Sequence, residues 1–101
     1  MFEAVLQRIQ AKIRTLDYVM TIHADEEMDD DHVTWSEVEH ILLTGDIIAR
    51  QKDRETREWK YVFLGEAADS RRIVVVTKLS PSGKAVILTV YDEEKEPPHD
   101  L

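Results

Sequence analysis

At Asp46 the hydrophobic period of this chain changes from that of a helix to that of a strand. That switch constrains the fold more than any motif does. Before it, Phe2, Val5, Leu6, Ile9, Ile13 and Leu16 recur at helical spacing, which predicts an amphipathic helix over 2–16. The stripe is read first as packing on the domain's own sheet, and second as a dimerisation or partner helix. Asp17 breaks the pattern, and Tyr18 to Ile22 reads as a short strand. Residues 24–31 then form at most two helical turns, with Ala24 and Met28 inward. Asp25 and Glu26 suit the positive start of that helix, whereas Asp29, Asp30 and Asp31 oppose its negative end, so it should stop by about Asp30. Thr34-Trp-Ser-Glu37 fits a capping box, with Val33 and Val38 placed as a hydrophobic staple. The spacing predicts a helix over 35–44 that turns Trp35, Val38, Ile41 and Leu42 to the core, with Gly45 as a left-handed cap.

After the switch, Ile47 to Ala49 opens a strand that runs into the polar stretch Arg50 to Glu58. Trp59 to Leu64 reads as a strand partly buried on both faces and closed by Gly65. Residues 72–79 and 84–91 flank Ser80-Pro-Ser-Gly83, a hairpin turn. Helices segregated before a run of strands predict an α+β domain, with the N-terminal helices packed on one face of an antiparallel meander. The 101 residues suffice for one domain, drawn here over 1–92. The acids and Pro97-Pro98 that follow read as a flexible acidic tail over 93–101.

Charge narrows the function classes. The formal charge of -8 is unevenly spread: residues 1–49 are strongly acidic, 50–84 are net basic, and the rest is acidic again. Phosphate neutralisation dominates non-specific nucleic-acid affinity, so an acidic whole weighs against a protein that coats duplex DNA. It leaves room for a local basic face in the middle third. The chain has no cysteine, which excludes disulfides, thiolate metal sites and a cysteine nucleophile. Its first residues lack the basic and long apolar regions of a signal peptide, and no apolar run reaches membrane-spanning length. A soluble, cytoplasmic protein without a membrane partner is the expectation.

Three groups of residues could carry chemistry. His23 and Glu27 are spaced i,i+4 beside a dense run of acid, with His32 nearby, but the paired histidines of a zinc protease and the alternating acids and glycine of an EF-hand are missing. A solvated acidic face is the better reading, and no metal or other cofactor is expected. His23 stands where the strand hands over to the helix. A capping or backbone-bonding role is the commoner one for an imidazole there, and general acid or base chemistry is the alternative. Arg50, Lys52, Arg54, Arg57 and Lys60 interleave with Trp59 and Tyr61, the composition of a nucleic-acid surface, or else of a charged hairpin paired to its own acids. No phosphate-binding glycine loop or nucleophile elbow is present.

The segments His23-Ala-Asp-Glu-Glu-Met28, Thr34 to Glu39, Gly45-Asp-Ile-Ile48, Val62-Phe-Leu-Gly65, Arg71 to Val76 and Leu88-Thr-Val-Tyr91 occur in an order and spacing that resemble a bacterial family, domain of unknown function 4258. The resemblance covers roughly residues 18–92. Two positions depart from it: Glu27 stands where many members carry arginine, and Val74 where many carry histidine. The family is similar to the RelE/ParE and BrnT toxins, whose helices pack on a curled antiparallel sheet, which cleave RNA or act on gyrase, and which are held by antitoxins. The resemblance therefore implies a RelE-like scaffold and a metal-independent endoribonuclease or RNA-binding toxin. On that reading His23 is the acid or base, Tyr91 the proton donor or positioner, and Arg50 and Arg72 the phosphate clamps. RNA, an antitoxin-like protein or a second copy joined through the N-terminal helix are the expected partners. The competing expectation is a non-catalytic interaction or dimerisation module on a degenerate toxin scaffold.

Overall fold

The computed structural model describes residues 1–95. Of the expected tail, residues 96–101, with Pro97, Pro98 and His99, lie outside the described residues. Three helices, α1 (Glu3–Arg14), α2 (Ile22–Asp31) and α3 (Trp35–Thr44), accompany five strands: β1 (Tyr18–Met20), β2 (Asp46–Lys52), β3 (Trp59–Glu66), β4 (Arg72–Leu79) and β5 (Ala85–Asp92). The strands form one sheet in the order β1-β5-β4-β3-β2. The fold is α+β, as the period switch requires. The sheet is antiparallel over β2 to β5, but β1 joins β5 in parallel, so it is mixed rather than purely antiparallel.

Each helix stops for a stated local reason. Lys12 and Arg14 favour the negative end of α1. There Leu16 adopts a left-handed φ of 58°, while the Leu16 and Asp17 N–H groups donate to the Ile13 and Lys12 carbonyls. That doubly bonded reversal is a Schellman end, and it turns Leu16 out of the predicted stripe to 71% exposure. Ile9 and Ile13 are fully buried, each worth roughly 1.5–3 kcal/mol, so the α1 stripe packs on the chain's own core. At the end of α2, His32 takes the left-handed position, and the Val33 N–H donates back to the Met28 carbonyl. Val33 and Met28 are both buried, which supplies the apolar contact of the same motif.

The capping box on α3 is present in full: Thr34 Oγ1 accepts from the Glu37 N–H at 3.1 Å, and the Thr34 N–H donates to Glu37 Oε1 at 2.9 Å. Gly45 differs from expectation. Its backbone is extended (φ -80°, ψ 178°) instead of left-handed. A Cβ there would sit 2.7 Å from the carbonyl oxygens of Ile41 and Leu64, so glycine is required by the close approach of the helix end to β3. Trp35 is half exposed, with its ring centroid 6.0 Å from that of Tyr18, rather than turned into the core.

β1 also ends earlier than expected, because Thr21 starts a helix. Its N–H still donates to the Ile87 carbonyl, while its Oγ1 accepts from the Ala24 N–H as the cap of α2. In the β4–β5 pairing the register slips between Val76 and Thr77, leaving Leu88 of β5 as the extra residue, so that Ala85, Ile87 and Val90 all join the core beneath the helices. Leu88 and Tyr91 instead pack with Val62, Leu64, Val74 and Val76 in a second cluster on the opposite side of the sheet. Central β4 is accordingly buried on both faces from Ile73 to Thr77. Thr77 Oγ1 is buried without a hydrogen-bond partner among the described residues.

The edge of β5 is divided between two coverings. β1 pairs with Ala85 to Ile87. Beyond it, α2 runs beside the strand, and two of its acids one turn apart replace the missing strand. Glu27 Oε1 accepts from the Val90 N–H at 3.1 Å, and Asp31 Oδ2 accepts from the Asp92 N–H at 2.8 Å. The two amides are two residues apart and leave the strand on the same side.

Replacing Thr77 by valine removes an unsatisfied buried hydroxyl at constant shape, and urea unfolding should show a stability gain of about 1 kcal/mol. Glu27→Ala should speed hydrogen exchange of the Val90 amide about tenfold while the β1-paired amides keep their protection. Tyr18 donates to Glu39 Oε2 at 2.7 Å, and burial followed by that carboxylate pushes its phenol up to about 12. The folded state thus favours the neutral phenol, and the stability this provides is intact below the ordinary tyrosine value of about 10 and lost between there and about pH 12. Absorbance titration of the native protein should show the Tyr18 phenol ionising late, and Glu39→Gln should advance it.

Candidate functional site

His23 occupies the second position of α2, and the cap that its place in the sequence suggested belongs to Thr21. Its Nε2 lies 3.1 Å from Glu27 Oε1, and its side chain is two-thirds exposed. The same carboxylate oxygen receives the Val90 N–H, so the acid nearest the histidine is engaged in holding the sheet edge. An arginine at position 27 could not accept that bond, having donors only. The departure from the family pattern therefore has a structural consequence in this chain.

Tyr91 and Arg72 do come together. Tyr91 lies opposite Val74 in the β4–β5 pairing, and Arg72 is two residues from Val74 on the same strand, which makes the two diagonal neighbours on the face away from the core under the helices. Tyr91 is only 2% exposed. Arg72 places its Nε 3.3 Å from Glu93 Oε1 and lines a shallow cleft of about 330 Å³ with Asp46, Ile48, Leu64, Gly65 and Glu66. Val74, at the second departing position, is fully buried directly against this pair. Arg50 is elsewhere: it sits on β2, the opposite edge strand of the sheet, with its guanidinium 4.0 Å over the ring of Trp59.

The arginine that the sequence did not single out is Arg71. Its guanidinium donates to Asp69 Oδ2 (2.7 Å), the Asp31 carbonyl (3.0 Å), the His32 carbonyl (3.2 Å) and Glu37 Oε2 (3.0 Å). It thereby ties the end of α2, the capping box of α3 and the start of β4 to one planar group. Desolvation works against its charge, but the Asp69 and Glu37 carboxylates outweigh that and hold its pKa above the usual value. Asp69 is held below the ordinary carboxylate range, first by the Arg71 N–H and further by the guanidinium. Only the Asp69-x-Arg71 spacing could have hinted at this in the sequence, since the other partners are distant along the chain.

Carboxylates also occupy five of the six lysines. Lys78 pairs with Glu58 at 3.0 Å, Lys60 with Asp53 at 3.8 Å, Lys84 and Lys12 with Asp17, and Lys95 with Asp31 at 3.6 Å. Asp17 is correspondingly held below the usual carboxylate range, chiefly by Lys84 and then Lys12. Asp53 is held low first by the Thr56 and Glu55 N–H groups that it accepts in the β2–β3 turn. Among the described residues no cluster of histidine and acidic side chains is arranged to hold a metal ion, and no helix is long and apolar enough to cross a membrane.

No curated protein and no solved structure matches the chain. A family model described as a domain of unknown function (DUF4258) matches residues 20–92, from the last residue of β1 to the last residue of β5. The match takes in α2 with its edge-covering acids, the capped α3 and the whole meander, and the chain belongs to the DUF4258 family.

Proposed function

We propose that this chain is a non-catalytic protein-interaction module on the α+β scaffold of its family. The burial of Tyr91 carries this reading. Metal-independent RNA cleavage needs a proton acceptor, a proton donor and free cations around one phosphate. Here the phenol that would donate is 2% exposed, and its neighbour Arg72 is bridged to Glu93. His23 stands at the covered edge of β5 beside Glu27, and Arg50 lies at the far edge of the sheet. A histidine at position 74 would have added a titratable group beside Tyr91, and this chain has valine there.

The interaction runs to a protein partner rather than to a second copy through α1. Ile9 and Ile13 of that helix's stripe are already buried, Val5 and Leu6 are partly buried against the same core, and Leu16 leaves the stripe at the helix end. The degenerate-toxin origin of the scaffold rests on the resemblance of the family to RelE-like toxins and enters the reading only as its ancestry.

Induced expression of the wild-type chain should leave bacterial growth unchanged, and the purified protein should leave RNA intact in chelator-containing buffer. His23→Ala and Tyr91→Phe should then be indistinguishable from wild type. RNA cleavage that disappears in His23→Ala, with the circular dichroism unchanged, would restore the endoribonuclease reading and overturn this one.

A further inference from the structure

Four of the cations that remain unpaired among the described residues lie close together in the chain. Arg50, Lys52, Arg54 and Arg57 are all exposed, and among the described residues none has a carboxylate partner. Of the acids in the same hairpin, Asp53 faces Lys60 and the turn amides, Glu58 faces Lys78, and the exposed Glu55 offsets one of the four cations in the field. In a chain of formal charge -8, four cations left unpaired within eight residues form a local field opposite in sign to the rest of the molecule.

Two of these cations stand over an exposed aromatic ring. Trp59 is 37% exposed, with the Arg50 guanidinium 4.0 Å and the Lys52 ammonium 5.4 Å from its centroid. Beside it a groove of about 260 Å³ runs between α1, the start of β3 and the β4–β5 turn, floored by Val5, Trp59, Tyr61, Leu79 and Pro81. Arg8 stands on its α1 wall, again without a carboxylate partner among the described residues. The site thus combines an apolar floor with the cations of Arg8 on its wall and of Arg50 and Lys52 over Trp59, and its one lining carboxylate, Glu58, is paired with Lys78.

We infer that this groove takes an extended acidic segment of a partner protein, its carboxylates on Arg8, Arg50 and Lys52 and an apolar side chain against Trp59. The inference rests on the reading of the chain as an interaction module and names the chemistry of the partner. A single strand of nucleic acid fits less well. Such strands need successive aromatic platforms, and Trp59 already has Arg50 over one face. The remaining negative surface of the protein would also repel a polyanion longer than the groove. A second copy offers the exposed acids of α2, Asp25, Glu26, Asp29 and Asp30, with the exposed Ile22 beside them, but it presents them on a helix rather than on an extended segment.

The test uses the full chain carrying Trp35→Phe, which leaves Trp59 as the only tryptophan. A synthetic peptide of Glu-Glu-Leu repeats should change the Trp59 fluorescence saturably, and the affinity should fall as salt is raised. Charge removal at three exposed sites (Arg8→Gln, Arg50→Gln and Lys52→Gln together) should weaken binding at least about tenfold with the circular dichroism unchanged. The corresponding Lys-Lys-Leu peptide should not bind. Absence of a saturable change, binding that the triple substitution leaves intact, or tighter binding of oligouridylate at the same tryptophan would each overturn the inference. The RNA-cleavage assay reads the underlying proposal separately. A chain that neither cleaves RNA nor binds the peptide loses only this groove, whereas one that cleaves RNA loses the module reading whatever the peptide does.

Discussion

The outer edge of β5 is the constraint on which the rest of this structure depends. A strand edge facing outward leaves backbone N–H groups that must be bonded or solvated, and an open apolar edge invites pairing with other chains. Three residues of β1 are too few to cover an eight-residue strand. The chain closes the remainder by turning into α2 at Thr21, which bonds to β5 through both its N–H and its hydroxyl. Glu27 and Asp31, one helical turn apart, then meet amides two residues apart on the strand. The dense acid of α2 therefore has an architectural part and a solvent-facing part. Asp31, unfavourable at the end of the helix dipole, is compensated by the Asp92 amide and Lys95.

Two close approaches hold the layers around that edge. Arg71 satisfies carbonyls at the end of α2 and the acid of the α3 capping box, so the turn between the helices is bound to the start of β4. Gly45 and Gly65 let α3 and β3 come nearer than side chains permit: a Cβ on Gly65 would meet the Ile41 side chain at 3.0 Å. These contacts explain why α3 can be both well capped and closely seated on the sheet.

The distribution of pairing separates the two surfaces that sequence reasoning had joined. The basic residues of the middle third looked like one cluster. Folding distributes Arg71 to the helix junction, Arg72 to Glu93, and Lys60 and Lys78 to acids of the β2–β3 hairpin. Arg50 and Lys52, without a carboxylate partner among the described residues, then stand over Trp59 by the edge strand β2, away from Tyr91 on β5. A charge acts on a ligand through what the fold leaves unneutralised, and this cannot be counted along the chain.

The sequence by itself determined the local elements. The change of period at Asp46, the capping box at Thr34 and the hairpin turn at Ser80 to Gly83 rest on interactions between residues a few positions apart, and each appears where its spacing requires. Tertiary structure decided what depends on distant partners. Gly45 is extended because Leu64 lies against it, and β1 pairs in parallel with a strand more than sixty residues away. Likewise Tyr91 is buried, and Glu27 is an edge acceptor beside His23 instead of a member of a catalytic set. Short-range spacing encodes backbone preference and amphipathicity. Burial and the partner of a charge depend on which distant segments the sheet brings together.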